Sequence, residues 1–204
     1  TIISGDREAE LIYYGVRSAV KMTNQLSLIM DIGGGSTEFI IANGEKIFWK
    51  QSFLLGAARI LEKFNPHDPI KEEEVKNLEN YLEQELHPLF EAVRQFPVIE
   101  LLGSSGSFDS LAAMISYRYH TIEDFKGRTE YIFHLPDCYE IYKVILKSST
   151  EERKNMDGLI KMRVDMIVVS AVFVNFIIQK LKINKMRLSR YSLKEGVLWE
   201  VLNT

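Results

Sequence analysis

The segment 28–53 constrains the fold most strongly, because three short runs of strand-forming residues alternate with two turn-forming sequences. Residues 28–30, 39–41 and 46–53 have the composition of strands. Asn43-Gly44 is a strong hairpin signal, and three consecutive glycines lie between the first two runs. The segment therefore predicts a three-stranded antiparallel meander whose first turn is rich in glycine.

The rest of the chain alternates between helical and strand patterns. Ser4-Gly5-Asp6 predicts the start of a helix that runs to about residue 19. After the meander we predict helices at 56–64, from about 108, at 138–147, at 164–181 and from 193, and a longer helix that Pro88 kinks or ends. We predict strands at 98–102 and 186–189, and an irregular stretch at 121–137. This order predicts an α/β fold in a single domain over 1–204, with a mixed sheet, an antiparallel meander and flanking helices.

The composition excludes several classes of protein. Among 204 residues, 25 basic and 28 acidic side chains give a net charge of -3, which argues against a generally basic nucleic-acid binder. Cys138 is the only cysteine, so an intramolecular disulfide cannot form. The longest apolar stretch, at 167–178, is too short to span a bilayer. We therefore expect a soluble cytoplasmic protein that binds neither nucleic acid nor membranes.

Basic side chains are concentrated in one part of the chain. Residues 143–194 contain 12 Lys and Arg against 4 Asp and Glu, whereas residues 1–142 contain 13 and 22. Such an excess guides a polyanion if the side chains converge on one surface. The other interpretation is a set of solvated helix faces whose charges never meet, because clustering in sequence is a poor guide to clustering in space.

The most informative motif runs from Asp31 to Glu38, between the first two predicted strands. Three glycines let the backbone approach a ligand closely and adopt positive φ, so that successive N–H groups can point at phosphate oxygens. Asp31 and Glu38 supply the hard oxygen ligands that suit Mg²⁺ beside a phosphate. The alternative is a flexible hairpin turn. The predicted phosphate-binding residues are Gly33, Gly34, Gly35, Ser36 and Thr37.

A second glycine-serine segment lies between a predicted strand and the start of a helix. The helix dipole and the free N–H groups at such a junction favour an anion. The alternative is an ordinary glycine turn with Ser107 as the helix cap. The candidate phosphate-binding residues are Gly103, Ser104, Ser105, Gly106 and Ser107.

Glu8 is the candidate general base. Helical spacing puts it at the end of the buried stripe of the first helix rather than on the solvated face. A carboxylate in such a position tends to have a raised pKa, which suits it to activate water. The alternative is that Glu8 only complements the helix dipole in the first turn.

Taken together, residues 3–9 (Ile-Ser-Gly-Asp-Arg-Glu-Ala) and 31–38 (Asp-Ile-Gly-Gly-Gly-Ser-Thr-Glu) closely resemble motifs of the exopolyphosphatase / guanosine pentaphosphate phosphohydrolase family. Supporting matches lie at 55–59, 103–107, 163–165 and 189–196. The resemblance implies the actin-like ATPase superfamily, in which two ribonuclease-H-like lobes enclose a cleft. By this resemblance we expect the chain to be the second lobe only, with the amino-terminal lobe absent from it.

The resemblance also implies roles for individual residues. Glu8 matches the catalytic base, Asp31 and Glu38 match magnesium-site positions, and the glycine turn matches the phosphate-binding turn. The expected reaction is Mg²⁺-dependent release of orthophosphate from polyphosphate or guanosine pentaphosphate. Because family members often form dimers, the resemblance also allows a homodimer.

Two other functions stay open from the sequence. One is a sensor module that binds phosphorylated nucleotides without cleaving them, and the other is a kinase of the same superfamily. With half of the cleft missing, the isolated lobe is expected to be inactive.

Three parts of the sequence depart from the family pattern. Arg7 replaces a usual acidic residue just before the catalytic Glu. Residues 103–107 read Gly-Ser-Ser-Gly-Ser where Gly-Thr-Gly-Gly-Thr is common. Arg190-Tyr191-Ser192 stands where the family often has Asp-Arg-Gly.

Overall fold

The computed structural model describes residues 3–119 and 127–203. The strands are β1 (Ser27–Ile32), β2 (Thr37–Ala42), β3 (Ile47–Phe53), β4 (Glu100–Ser104), β5 (Glu130–Phe133) and β6 (Met186–Ser189). The helices are α1 (Gly5–Ala19), α2 (Ala57–Phe64), α3 (Glu72–Glu85), α4 (His87–Gln95), α5 (Ser105–Arg118), α6 (Leu135–Lys147), α7 (Thr150–Lys154), α8 (Ile167–Lys180) and α9 (Leu193–Asn203), and a 3₁₀ turn spans Lys161–Arg163.

Within the described ranges, six strands form one mixed sheet in the order β3-β2-β1-β4-β6-β5. The predicted meander is confirmed, because β1 pairs antiparallel with β2 and β2 pairs antiparallel with β3. β1 also pairs in parallel with β4, β4 pairs in parallel with β6, and β5 runs antiparallel to β6 at the edge. Every residue of β1 and β2 is buried, which explains why both strands are continuous apolar runs rather than alternating ones.

Helices cover both faces of the sheet and create two cores. The larger core lies between the sheet and helices α2, α3, α4, α5, α6 and α8, and it includes Met30, Phe39 and Phe173. On the opposite face, α1 packs Ile12 and Val16 against the sheet. In the residues that the structure describes, no helix combines the length and apolarity needed to cross a membrane.

Two glycines set the distance between α1 and α9. A Cβ atom on Gly196 would lie 1.7 Å from the carbonyl oxygen of Leu11, and one on Gly15 would lie 2.0 Å from the carbonyl oxygen of Ser192. Only glycine permits so close a crossing. The contact fixes the start of α9 beside α1, the helix that carries Glu8.

Some predicted boundaries need correction. Helix α3 ends at Glu85 and α4 begins at His87. The prediction that the helix ends near Pro88 is therefore confirmed, and Pro88 lies in the first turn of the next helix, where proline is well tolerated. The irregular stretch predicted at 121–137 is partly wrong: residues 121–126 lie outside the described residues, but β5 and the start of α6 occupy much of the remainder. Strand β6 has the predicted bounds.

Eight of the twelve basic side chains in segment 143–194 pair with acidic side chains, and these pairs lie on different elements of the fold. Lys185 and Arg187 bind the buried carboxylate of Glu100 near the amino-terminal end of β4. Arg153 binds Asp68 in a separate part of the fold. Other members pair with nearby acids (Lys143 with Glu140, Lys154 with Glu151, Lys180 with Glu83, Arg190 with Asp109 and Lys194 with Glu195). This dispersal favours the interpretation of separate, locally paired charges over a continuous polyanion track.

Candidate active site

A row of polar residues crosses the sheet where β1, β4 and β6 end. Asp31 on β1 pairs with Glu38 on β2 and with Ser104 on β4. Ser104 pairs with Ser189 on β6, and Glu38 pairs with Ser52 on β3. Residues aligned across neighbouring strands project from the same face of a sheet. Because Ile29, two residues before Asp31, lies in the core beneath α1, the row faces α1 and α9.

Asp31 is buried at the centre of this row, with 5% of its surface exposed. The hydroxyl of Ser104 donates a hydrogen bond of 2.5 Å to Oδ2 of Asp31. The hydroxyl of Ser192, which precedes α9, donates to the same oxygen. The carboxylate is therefore held by two hydroxyl donors from different elements.

Glu38 is also buried, with 1% of its surface exposed. The pKa of Glu38 is raised to about 7, chiefly by burial; the charges of Glu8 and Asp31 also raise it, and hydrogen bonds from Ser52 and Ser36 oppose the shift. The Ser52 hydroxyl donates to Oε1 of Glu38 over 2.7 Å. Glu38 is thus poised between its neutral and charged forms near neutral pH.

The first turn of α1 brings Glu8 to these carboxylates. Ser4 caps the helix by accepting a hydrogen bond from the backbone N–H of Arg7. Gly5 lies directly against β3, since a Cβ atom there would be 2.5 Å from Cβ of Ser52. Burial raises the pKa of Glu8, and the charge of Asp31 raises it further. Glu8 is therefore half-buried beside the site, as its position on the helix predicts.

The carboxylates supply hard oxygen donors but not a complete protein cage. In the described part of the chain, no group of three or more His, Cys, Asp or Glu side chains is arranged to hold a metal ion. Mg²⁺ usually binds to one or two carboxylates together with water and substrate phosphates. Asp31 and Glu38 fit that donor set, because both are carboxylates in register on neighbouring strands.

The glycine turn after β1 turns its carbonyl groups inward. The backbone N–H groups of Ala57 and Ala58 donate to the carbonyl oxygens of Gly33 and Gly34 over 2.9 and 3.0 Å. The carbonyl groups of the turn thus accept hydrogen bonds from the first N–H groups of α2. By contrast, the N–H groups of Gly34 and Gly35 donate no hydrogen bond within the described residues. Both glycines are exposed. The turn therefore presents free N–H groups to solvent.

The expected reason for the three glycines is wrong in one respect. None of Gly33, Gly34 and Gly35 adopts a positive φ; in the described residues the glycines that do are Gly127 and Gly158. A Cβ atom on Gly35 would meet nothing within 4 Å. The fold itself therefore leaves room for a side chain at residue 35, and the space in front of the turn is open to a ligand.

Gly56 is the glycine that the turn requires most. A Cβ atom there would lie 2.3 Å from the carbonyl oxygen of Gly34. Arg59, one turn further along α2, donates from Nε to the carbonyl oxygen of Gly35 over 3.0 Å. The sequence indicates only a helix start at Gly56, because the contact is made with a segment more than twenty residues away.

Gly56→Ala should lower the free energy of unfolding by about 2 kcal/mol, since a methyl group forced against backbone atoms strains the fold. Gly35→Ala is the matched control, and its effect should stay within about 0.5 kcal/mol because its Cβ meets open space. Urea unfolding of both variants measures the difference. Equal stability of the two would contradict the packing described for the turn.

The second glycine-serine segment is not a loop. Gly103 and Ser104 belong to β4, and α5 begins at Ser105 rather than near residue 108. Ser105 makes the change of direction with φ of 68°, and its hydroxyl donates to the carbonyl oxygen of Ile32 over 2.9 Å. Ser107 donates to the hydroxyl of Ser170 inside the core, so the proposed cap role for Ser107 is wrong.

Arg163 and Asp109 border the first turn of α5, and sequence reasoning missed Asp109. A Cβ atom on Gly106 would lie 2.2 Å from the guanidinium of Arg163, whose buried Nε has no partner in the described residues. Burial raises the pKa of Asp109 to about 6, while Arg190 and Arg163 oppose the shift. In the sequence, the resemblance of Arg163-Val164-Asp165 to the family was the one feature that pointed to Arg163, and no feature pointed to Asp109.

The mixed six-stranded sheet with helices on both faces is a fold of the actin-like ATPase type, and the acidic row lies at the carboxyl ends of its parallel strands. A model of the Ppx/GppA phosphatase family matches residues 1–204. The chain therefore belongs to the Ppx/GppA phosphatase family.

Two solved structures illustrate the similarity. An exopolyphosphatase from Cytophaga hutchinsonii is 41% identical, with a TM-score of 0.95 over 98% of this chain and 64% of that chain. The PPX-GPPA enzyme of Aquifex aeolicus is 25% identical, with a TM-score of 0.84 over 97% of this chain and 64% of that chain. The chain thus spans 64% of the length of each of these relatives.

Proposed function

We propose that the whole protein containing this chain releases orthophosphate from the terminal phosphoanhydride of inorganic polyphosphate or guanosine pentaphosphate, and that the chain supplies the second of its two lobes. The observation that carries the proposal is a group of three acidic residues beside an open glycine turn: Asp31 raises the pKa of Glu8, and both raise the pKa of Glu38. Family membership and the similarity to a protein named as an exopolyphosphatase support the same chemistry.

In this reaction the glycine turn holds the end of the substrate. The free amides of Gly34 and Gly35 would donate hydrogen bonds to oxygens of the terminal phosphate. Ser36 and Thr37 flank them, but the Thr37 hydroxyl is already bonded to the carbonyl oxygen of Leu55 over 2.9 Å. The Ser36 hydroxyl bonds the carboxylate of Glu38, so both hydroxyls already have partners and the backbone amides are the donors left for the substrate.

Glu8 is the proposed general base. Its raised pKa brings the carboxylate closer to the range in which proton transfer from water is efficient. Glu8 takes a proton from a water molecule, the water oxygen forms a bond to the terminal phosphorus, and the bridging P–O bond breaks. The products are orthophosphate and a substrate that is one phosphate shorter, which leaves with the electron pair of the broken bond.

Asp31 and Glu38 are the proposed ligands of Mg²⁺, which would neutralise charge on the phosphate oxygens when bound. To bind a cation, Glu38 must lose the proton that its raised pKa favours. The hydroxyls of Ser104 and Ser192 both donate to Oδ2 of Asp31 and so hold this carboxylate in place.

Orthophosphate release by the whole protein tests the proposal. The assay should use polyphosphate and guanosine pentaphosphate separately, with and without Mg²⁺ and without ATP. We expect release from at least one substrate, dependent on Mg²⁺, and no release by residues 1–204 alone. Binding of either substrate without release would favour a sensor, and ADP formation that depends on an acceptor would favour a kinase.

Gly35→Ala in the whole protein should weaken polyphosphate binding about tenfold, because the methyl group would take up open space beside the turn that the proposed phosphate needs. Fluorescence titration measures the binding constant. Since the same change should leave the fold intact, unaltered affinity in a stably folded variant would remove the turn from the binding site.

A further inference from the structure

The side-chain hydroxyl of Ser192 makes a hydrogen bond to a residue outside the helix that follows it. Ser192 lies between β6 and α9, yet its hydroxyl donates to Oδ2 of Asp31, a residue 161 positions away in the sequence. Ser104 donates to that same oxygen. The other oxygen of Asp31, Oδ1, receives no hydrogen bond from residues 3–119 or 127–203. Both donors therefore act on one side of the carboxylate and leave the other side available.

The local sequence makes this use of the hydroxyl unexpected. Ser192 and Glu195 have the spacing of a capping box, in which the serine hydroxyl normally accepts a hydrogen bond from the backbone at the third helical position. Only one half of that motif forms, since the N–H of Ser192 donates to Oε2 of Glu195 over 3.0 Å. Burial alone would raise the pKa of Glu195, but this N–H and Lys194 outweigh it and lower the pKa. The hydroxyl is turned to Asp31 instead.

The backbone of Ser192 is held firmly in place. Its carbonyl oxygen accepts the N–H of Gly196 over 3.0 Å and lies directly over Gly15 of α1. Because α1 also carries Glu8, Ser192 is packed against the helix of the proposed base while its hydroxyl bonds Asp31 on β1. A hydroxyl on so fixed a backbone can orient Asp31 with little loss of conformational entropy.

We propose that Ser192 is a positioning residue for Asp31, and that it fixes Oδ2 so that Oδ1 faces the cation and phosphate of the site. This inference rests on the proposed hydrolytic function.

The test uses the whole protein with Ser192→Ala and the conservative Ser192→Thr. Isothermal titration calorimetry with Mg²⁺ alone measures cation binding, and orthophosphate release is followed over a range of Mg²⁺ concentrations. Loss of a hydrogen bond to a charged group should weaken Mg²⁺ binding by Ser192→Ala about tenfold. At saturating Mg²⁺, kcat should stay within about twofold of the wild type, and threonine should restore most of the affinity.

Ser116→Ala is the matched control, because the Ser116 hydroxyl is buried in α5 and has no hydrogen-bond partner within the described residues. It should leave Mg²⁺ binding unchanged. If Ser192→Ala does not fold, Ser192→Gly also removes the hydroxyl and should show the same weakened binding.

The outcomes separate the inference from the proposed function. If the wild-type protein neither binds Mg²⁺ nor releases orthophosphate, the proposed function is wrong. If the wild type does both, and a folded Ser192→Ala or Ser192→Gly binds Mg²⁺ as tightly as the wild type, the role of Ser192 is refuted. An equal loss of affinity in Ser192→Thr and Ser192→Ala would also refute it, since threonine retains the donor.

Discussion

Glu8→Gln in the whole protein is expected to lower the rate of orthophosphate release about 10²- to 10⁴-fold, the usual contribution of a positioned general base. Glutamine has the size of glutamate but cannot take a proton from water. The binding of polyphosphate should stay within about twofold of the wild type, because the proposed phosphate donors lie in the glycine turn. Steady-state kinetics and a separate binding titration measure the two effects.

Asp6→Asn is the control for this experiment. Asp6 lies in the same first turn of α1 but is exposed, so the variant tests whether any loss of negative charge near the helix start reduces activity. It should retain nearly full turnover. Rapid orthophosphate release by Glu8→Gln would exclude Glu8 as the base. An equal loss of turnover in Asp6→Asn would mean that Glu8 acts only through its negative charge at the start of the helix.

Glu38→Gln is expected to stabilise the protein at pH 8 in the absence of divalent cations. The pKa of Glu38 is about 7 in the folded state, above its ordinary value of 4.5. The folded state therefore binds more protons than the unfolded state between these values, and the stability from protonated Glu38 is complete below about pH 4.5 and lost as the pH rises through about 7. At pH 8 the buried charge costs about 3 kcal/mol, which glutamine would largely avoid.

Urea unfolding at pH 8 and at pH 4.5 measures this effect, with Glu45→Gln, a change at an exposed hairpin residue, as the control. Glu38→Gln should gain about 2–3 kcal/mol over the wild type at pH 8 and little at pH 4.5, while losing most orthophosphate release. Added Mg²⁺ should stabilise the wild type more than the variant. The same stability difference at both pH values would show that Glu38 carries no unfavourable charge.

Local patterns were sufficient to predict much of the fold. The meander followed from short apolar runs and Asn43-Gly44, and β6 was predicted with its observed bounds. Strand β5 was missed because it is only four residues long, so that its apolar run is too short to distinguish a strand from a loop, and its partner β6 lies far away in the sequence. The start of α5 was placed too late because Ser105 and Gly106 are typical of turns, whereas here the strand continues directly into the helix.

The site was predicted only in part, because its geometry depends on contacts between distant segments. Helical spacing placed Glu8 on the buried side of α1, and the pKa shift agrees with that position. The alignment of Asp31 with Ser104 arises from the parallel pairing of β1 and β4, which no local pattern contains. The contacts of Gly56 with the glycine turn and of Ser192 with Asp31 have the same origin.

A crystal structure of the whole Glu8→Gln protein with polyphosphate, which should bind but turn over slowly, tests the central proposal most directly. The measured quantity is the distance from the terminal phosphate to the turn and to residue 8. We predict phosphate oxygens within about 3 Å of the Gly34 and Gly35 amides, with the side chain of residue 8 facing the terminal phosphorus. An ordered chain end bound away from the turn, with residue 8 facing solvent, would contradict the account.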